Sequence, residues 1–153
     1  MPIRIRIASF VWVLACALLA SSCHDNSAVD PVANVAGDYT LTTANGQLPL
    51  RYFHTDATGQ TTVDITSGTL RLTRTGAFEE VLQYHITPPS DAPYDAPATT
   101  GGTFTLNGSN ITFTQILLVG PPYSWSGTVG MGTVTYTDPA FVDAGGLTAV
   151  YSK

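Results

Sequence analysis

The sequence predicts an all-β domain, an antiparallel up-and-down β-barrel of about eight strands, with a β-sandwich as the alternative. Three observations point there. Short segments alternate apolar and polar residues with a period of two, as where Leu70 and Leu72 interleave with Arg71 and Thr73. Turn-forming pairs such as Asn45-Gly46, Thr75-Gly76 and Asn107-Gly108 separate these segments. Thr, Gly, aromatic and β-branched residues dominate beyond residue 35, with little helical periodicity. A barrel is preferred because hairpin follows hairpin without a long crossover, and closure removes the exposed sheet edges that an isolated domain must otherwise protect.

The elements follow in order. Gly37 to Thr42 alternates and reads as the first strand, followed by the Asn45-Gly46 turn and a second strand over Leu50 to Thr55. Asp56 to Gly59 turns the chain into a third strand, Val63 to Arg74. Ala77 to Thr87 is the fourth, with Phe78, Leu82, Tyr84 and Ile86 on one face and Glu79, Gln83 and His85 on the other. Glu80 falls on the apolar face, which suggests an edge or a bulge there. Pro88, Pro89, Pro93 and Pro97 break the rhythm, so residues 88–102 read as a long exposed loop. Rhythm resumes with Thr103 to Leu106 and Ile111 to Leu118 around Asn107 to Asn110, then Tyr123 to Val129 and Thr133 to Thr137 around Gly130-Met131-Gly132. A loop over 138–146 holds Phe141, and Leu147 to Tyr151 is the last strand.

The N-terminus has a different character. Arg4 and Arg6 form a positive head, Ile7 to Ala20 is an almost unbroken apolar run, and Ala20-Ser21-Ser22 leads into Cys23. Positive, apolar, then small is the order of a secretory signal, read as an N-terminal signal helix. Leu19-Ala20-Ser21-Ser22-Cys23 resembles the lipobox of bacterial lipoproteins. That resemblance implies diacylglyceryl attachment to the Cys23 thiol and cleavage before it. Plain secretion and an uncleaved anchor are the alternatives, although the apolar run is shorter than the roughly 20 residues of a bilayer span. The expected organisation is a signal peptide over 1–22, a flexible tether over 23–34 and the barrel domain over 35–153. The expected location is the bacterial cell envelope, lipid-anchored. His24 rather than Asp directly after the cysteine favours the outer membrane, on its periplasmic or surface side.

Composition narrows the function. Once Arg4 and Arg6 depart, Arg51, Arg71, Arg74 and Lys153 stand against all 11 acids. Such a chain repels phosphate backbones and anionic lipid, so no nucleic-acid partner is expected. Both cysteines, Cys16 and Cys23, lie in the signal region, and the domain has none to pair internally.

Further motifs resemble small bacterial lipocalin-like domains. They are Gly37-Asp38-Tyr39-Thr40-Leu41, Ser67-Gly68-Thr69-Leu70-Arg71-Leu72, Gly76-Ala77-Phe78, Gly102-Thr103-Phe104-Thr105-Leu106, Asn110-Ile111-Thr112-Phe113, Gly127-Thr128-Val129 and the closing Tyr151. Typical lipocalins carry tryptophan where this chain has Tyr39, and an arginine near the last strand that packs over it; no counterpart of that arginine is evident. The resemblance implies a barrel able to bind a small hydrophobic molecule.

Chemistry is sparse. His54 and His85 have no His-x-His or cysteine company, so no metal site is expected. Asp91 and Asp95 lack the spacing of a calcium loop. Glu79 and Glu80 are adjacent in a strand and point to opposite faces, which disfavours paired acid–base work. No Gly-x-Ser-x-Gly elbow is present. Tyr39, Phe78, Tyr84, Phe104, Phe113, Trp125, Tyr136 and Tyr151 are the residues expected to line a ligand cavity, or to fill the barrel outright. The expectation is a non-enzymatic lipoprotein, a monomer without cofactor. Its partners would be the membrane through Cys23 and a small apolar ligand, or alternatively another envelope protein met through the loops.

Overall fold

The computed structural model describes residues 31–153. The signal run, Cys23 and most of the expected tether lie outside the described residues. A short helix α1 (Pro31–Val35) leads into β1 (Gly37–Ala44), β2 (Leu50–Asp56), β3 (Gly59–Leu72), β4 (Ala77–Thr87), β5 (Tyr94–Asn107), β6 (Asn110–Gln115), β7 (Tyr123–Gly130), β8 (Thr133–Asp138) and β9 (Leu147–Ser152), with a 3-10 turn at Val142–Ala144. Helix begins inside the stretch expected as tether, and Val32 and Val35 pack against the core.

All nine strands form one antiparallel sheet in the order β1-β9-β8-β7-β6-β5-β4-β3-β2, and a further β1–β3 pairing closes it. The result is a closed eight-strand barrel with β2 as an extra strand, consistent with a lipocalin-like fold. β1 and β2 share one edge of β3: β1 lies against Thr69–Leu72 and β2 against Gly59–Ile65. The two are therefore not a hairpin. The Asn45-Gly46 turn does form, with both residues at positive φ, but it bridges only Ala44 and Gln47. Beyond that bridge the chain rejoins the upper half of β3, where seven more pairings are available.

The connections after β2, β4, β6 and β8 gather at one end, here called upper. α1 and the C-terminus lie at the lower end. There Lys153 places its Nζ 4.8 Å from the centre of the Tyr39 ring and donates to the Ala36 carbonyl at 3.0 Å. A cation over the first-strand aromatic is what the resemblance leads one to seek, and this chain makes it with lysine and tyrosine.

Period-two patterning places the core where expected. Phe113 meets Phe78 edge-on at 5.0 Å and stacks on Trp125 at 5.5 Å, and Tyr136 packs edge-on against Phe113. Each such pair contributes about 0.5–1.5 kcal/mol beyond simple burial. Two glycines permit this packing. A Cβ on Gly102 would collide with the Thr114 carbonyl oxygen and crowd the Phe78 ring, and one on Gly127 would collide with the Thr135 carbonyl oxygen and Tyr136.

Three expectations are corrected. Glu80 occupies neither an edge nor a bulge: it keeps register with Leu70 and Thr100 and points inward between Phe78 and Leu82. The bulge lies instead on β3, between Ile65 and Ser67. It shifts the inward phase from odd residues (Val63, Ile65) to even ones (Leu70, Leu72). Second, residues 94–102 are strand rather than loop. Pro97 is opposite Gln83 of β4, and β6 reaches only as far as Gly102, so Pro97 lies on a free edge, where a missing N–H costs no ladder bond. Third, β6 ends at Gln115, and Ile116 to Val119 project into solvent, Leu118 fully so at 105%.

Candidate functional site

The interior combines seven buried aromatic side chains with a larger set of aliphatic ones. Of the residues expected to line a cavity, Tyr39, Phe78, Phe104, Phe113, Trp125, Tyr136 and Tyr151 are buried, and Tyr84 is half-buried near the upper end. The rings of Phe78, Phe113, Trp125, Tyr136 and Tyr151 pack on one another through the middle of the barrel.

One carboxyl stands among them. Glu80 is 6% exposed, and the phenols of Tyr136 and Tyr151 both donate to its Oε1. No group among the described residues hydrogen-bonds its Oε2. Burial pushes the Glu80 carboxyl above its ordinary range; the two phenols pull it back, and the nearby Asp138 charge raises it again. The same burial, reinforced by the Glu80 charge, raises Tyr136 and Tyr151 well above a free phenol. The buried indole Nε1 of Trp125 has no hydrogen-bond partner among the described residues.

Sequence reasoning missed this cluster as a unit. β4, β8 and β9 bring its three members together from separations of 56 and 71 residues. The one available signal was a carboxylate in phase with Phe78, Leu82 and Tyr84, because an acid on an apolar face requires partners.

The barrel wall has a seam at its upper end. β9 starts only at Leu147, so above that level β2 has no strand on its free side. The β8–β9 connection fills the gap. His54 Nδ1 meets Asp143 Oδ2 at 2.8 Å across it, and Asn45 Nδ2 holds the Gly146 carbonyl at 2.9 Å. Between the two walls lies a groove of about 210 Å³, lined by Tyr52 of β2 and by Ala140, Phe141, Val142, Asp143 and Ala144. Phe141, expected within this loop, is thus a groove wall.

Burial, and then the Asp143 charge, raises the Tyr52 phenol. Burial raises Tyr84 more strongly, with Tyr52, Glu80 and Asp138 adding to it in that order. Beside them, Tyr123 donates to Asp138 Oδ1 at 2.5 Å, and the Ala140 N–H donates to the same oxygen at 2.9 Å, which fixes the base of the loop.

The remaining polar residues have local roles. His85 Nδ1 lies 2.7 Å from Asp95 on the neighbouring strand, and Arg51 forms a two-pronged pair with Asp64 at 2.7 and 2.8 Å. Glu79 is exposed on the opposite face from Glu80. Among the described residues no group of three or more His, Cys, Asp or Glu could hold a metal ion, and no helix is long and apolar enough to cross a membrane. No protein-family model, curated protein or solved structure matches the chain.

Proposed function

We propose that this chain is a non-enzymatic binding barrel of the bacterial cell envelope, lipid-anchored through Cys23, that takes up a small apolar molecule at the seam between β2 and the β8–β9 connection. The observation that carries the reading is the groove against Tyr52 and Phe141, where β2 has no strand on its free side. Its volume of about 210 Å³ is below the ~300–1,000 Å³ of sites for drug-sized ligands. A compact ring or short chain fits better than a long acyl tail. The interior rings already occupy one another, which also favours the seam over the barrel centre. The order of charge, apolar run and small residues before Cys23 supports the anchor.

Two measurements test it. Trp125 is the sole tryptophan after residue 22 and stacks on Tyr123, so titration with small apolar probes should change its emission. A response unaltered by Phe141→Ser would place binding elsewhere. Mass spectrometry of the membrane-extracted chain should find acyl mass on Cys23; an unmodified residue 23 removes the anchor.

A second reading has its own support. Ile116, Leu117, Leu118 and Val119 form a solvent-facing apolar run at the upper end, and no charged residue lies between Asp95 and Asp138. Contiguous exposed apolar surface marks interaction sites, so this loop would serve contact with another envelope protein.

A further inference from the structure

We infer that the ligand of the seam site is a small organic ammonium compound, an apolar ring or short chain bearing one positive nitrogen. This rests on the seam reading above and names the ligand's class. The groove has aromatic walls, Tyr52 and Phe141, and one charged wall residue, Asp143. Aromatic faces attract a cation through their quadrupole, and a carboxylate beside them adds a directed partner. His54 engages only Oδ2 of Asp143, and both side chains remain about half exposed, so Oδ1 is open to a ligand.

The bases nearby do not neutralise the groove further: Arg51 is turned onto Asp64, and His54 meets only one Asp143 oxygen. A neutral apolar ligand would leave the other Asp143 oxygen unanswered, and an anion would be repelled by it. An ammonium donates to that carboxylate oxygen while its apolar part lies against Tyr52 and Phe141.

The test uses three probes of one shape: 2-phenylethylamine, 2-phenylethanol and 3-phenylpropionate, titrated into the full chain by calorimetry and followed by Trp125 emission. The amine should bind about tenfold or more tighter than the alcohol, the size expected of a charge-assisted hydrogen bond, and the acid weakest. Added salt should weaken the amine and spare the alcohol. Asp143→Asn should remove most of the difference between amine and alcohol, with circular dichroism and the melting temperature showing that the variant is folded; an undiminished preference for the amine overturns the assignment. Equal binding of amine and alcohol overturns the ammonium assignment but leaves the apolar seam site standing. Binding of none of the three overturns both.

Discussion

Replacing Glu80 with Gln tests the buried cluster directly. Gln offers the same acceptor to Tyr136 and Tyr151 and carries no charge. In the unfolded chain the Glu80 carboxyl titrates near its ordinary 4.5, whereas in the fold burial raises it. Between those two values the native state holds a proton that the unfolded state has released. Stability contributed by Glu80 is therefore complete below pH 4.5 and declines as pH rises through the folded value. One proton sets the slope at no more than about 1.4 kcal/mol per pH unit within that window, with a plateau above it. The phenol hydrogen bonds, worth about 1.5–3 kcal/mol each to a charged acceptor, oppose this and narrow the window. The assay is urea denaturation followed by Trp125 emission from pH 4 to pH 9 for both proteins. The stability difference between E80Q and the parent should be near zero at the acid end, grow in favour of E80Q, and then level off. Titrating groups that do not interact with Glu80 cancel in that difference. Parallel curves, or a variant that loses ground as pH rises, would refute the account, the latter by showing that something positive already stabilises ionised Glu80.

Other consequences follow from the packing. Gly102→Ala should destabilise by roughly 1–3 kcal/mol or prevent folding, because its Cβ meets backbone oxygen rather than a movable side chain, whereas Gly101→Ala, in ordinary contact at 3.4 Å, should be nearly neutral; paired thermal melts check this. Asp64→Asn should flatten the acid limb of the stability curve: Arg51 holds the Asp64 carboxyl below its usual range, so its contribution is present above pH 3.8 and lost as pH falls through the lower folded value. Lys153→Ala should cost about 0.5–1 kcal/mol by removing the cation over Tyr39, and Lys153→Arg should restore it in the same denaturation assay. Leu118→Ser should leave the melting temperature within a degree or two, roughly ±0.5 kcal/mol, since nothing packs on that side chain.

Sequence periodicity located the boundaries of β4, β7, β8 and β9 to within a residue, because each has one buried and one exposed face and a turn residue at its end. It failed where that logic is locally suspended. Pro97 looked like a breaker, yet only an edge position was needed to accommodate it. Ile116 to Leu118 read as strand because apolar residues are normally buried, yet among the described residues no strand lies beside them. Asn45-Gly46 predicted a turn and made one, but a turn does not choose which strand the chain joins next.

By itself, then, the sequence determined the all-β class, the inward set of aromatic rings and the acidic character of the domain, since alternation, turn chemistry and composition are local properties. Only the tertiary structure decided that β1 and β2 share an edge, that a seam opens beside Tyr52, and that Glu80 meets Tyr136 and Tyr151. Those facts depend on closure of the sheet, which brings together residues far apart in the chain and carries no local signature.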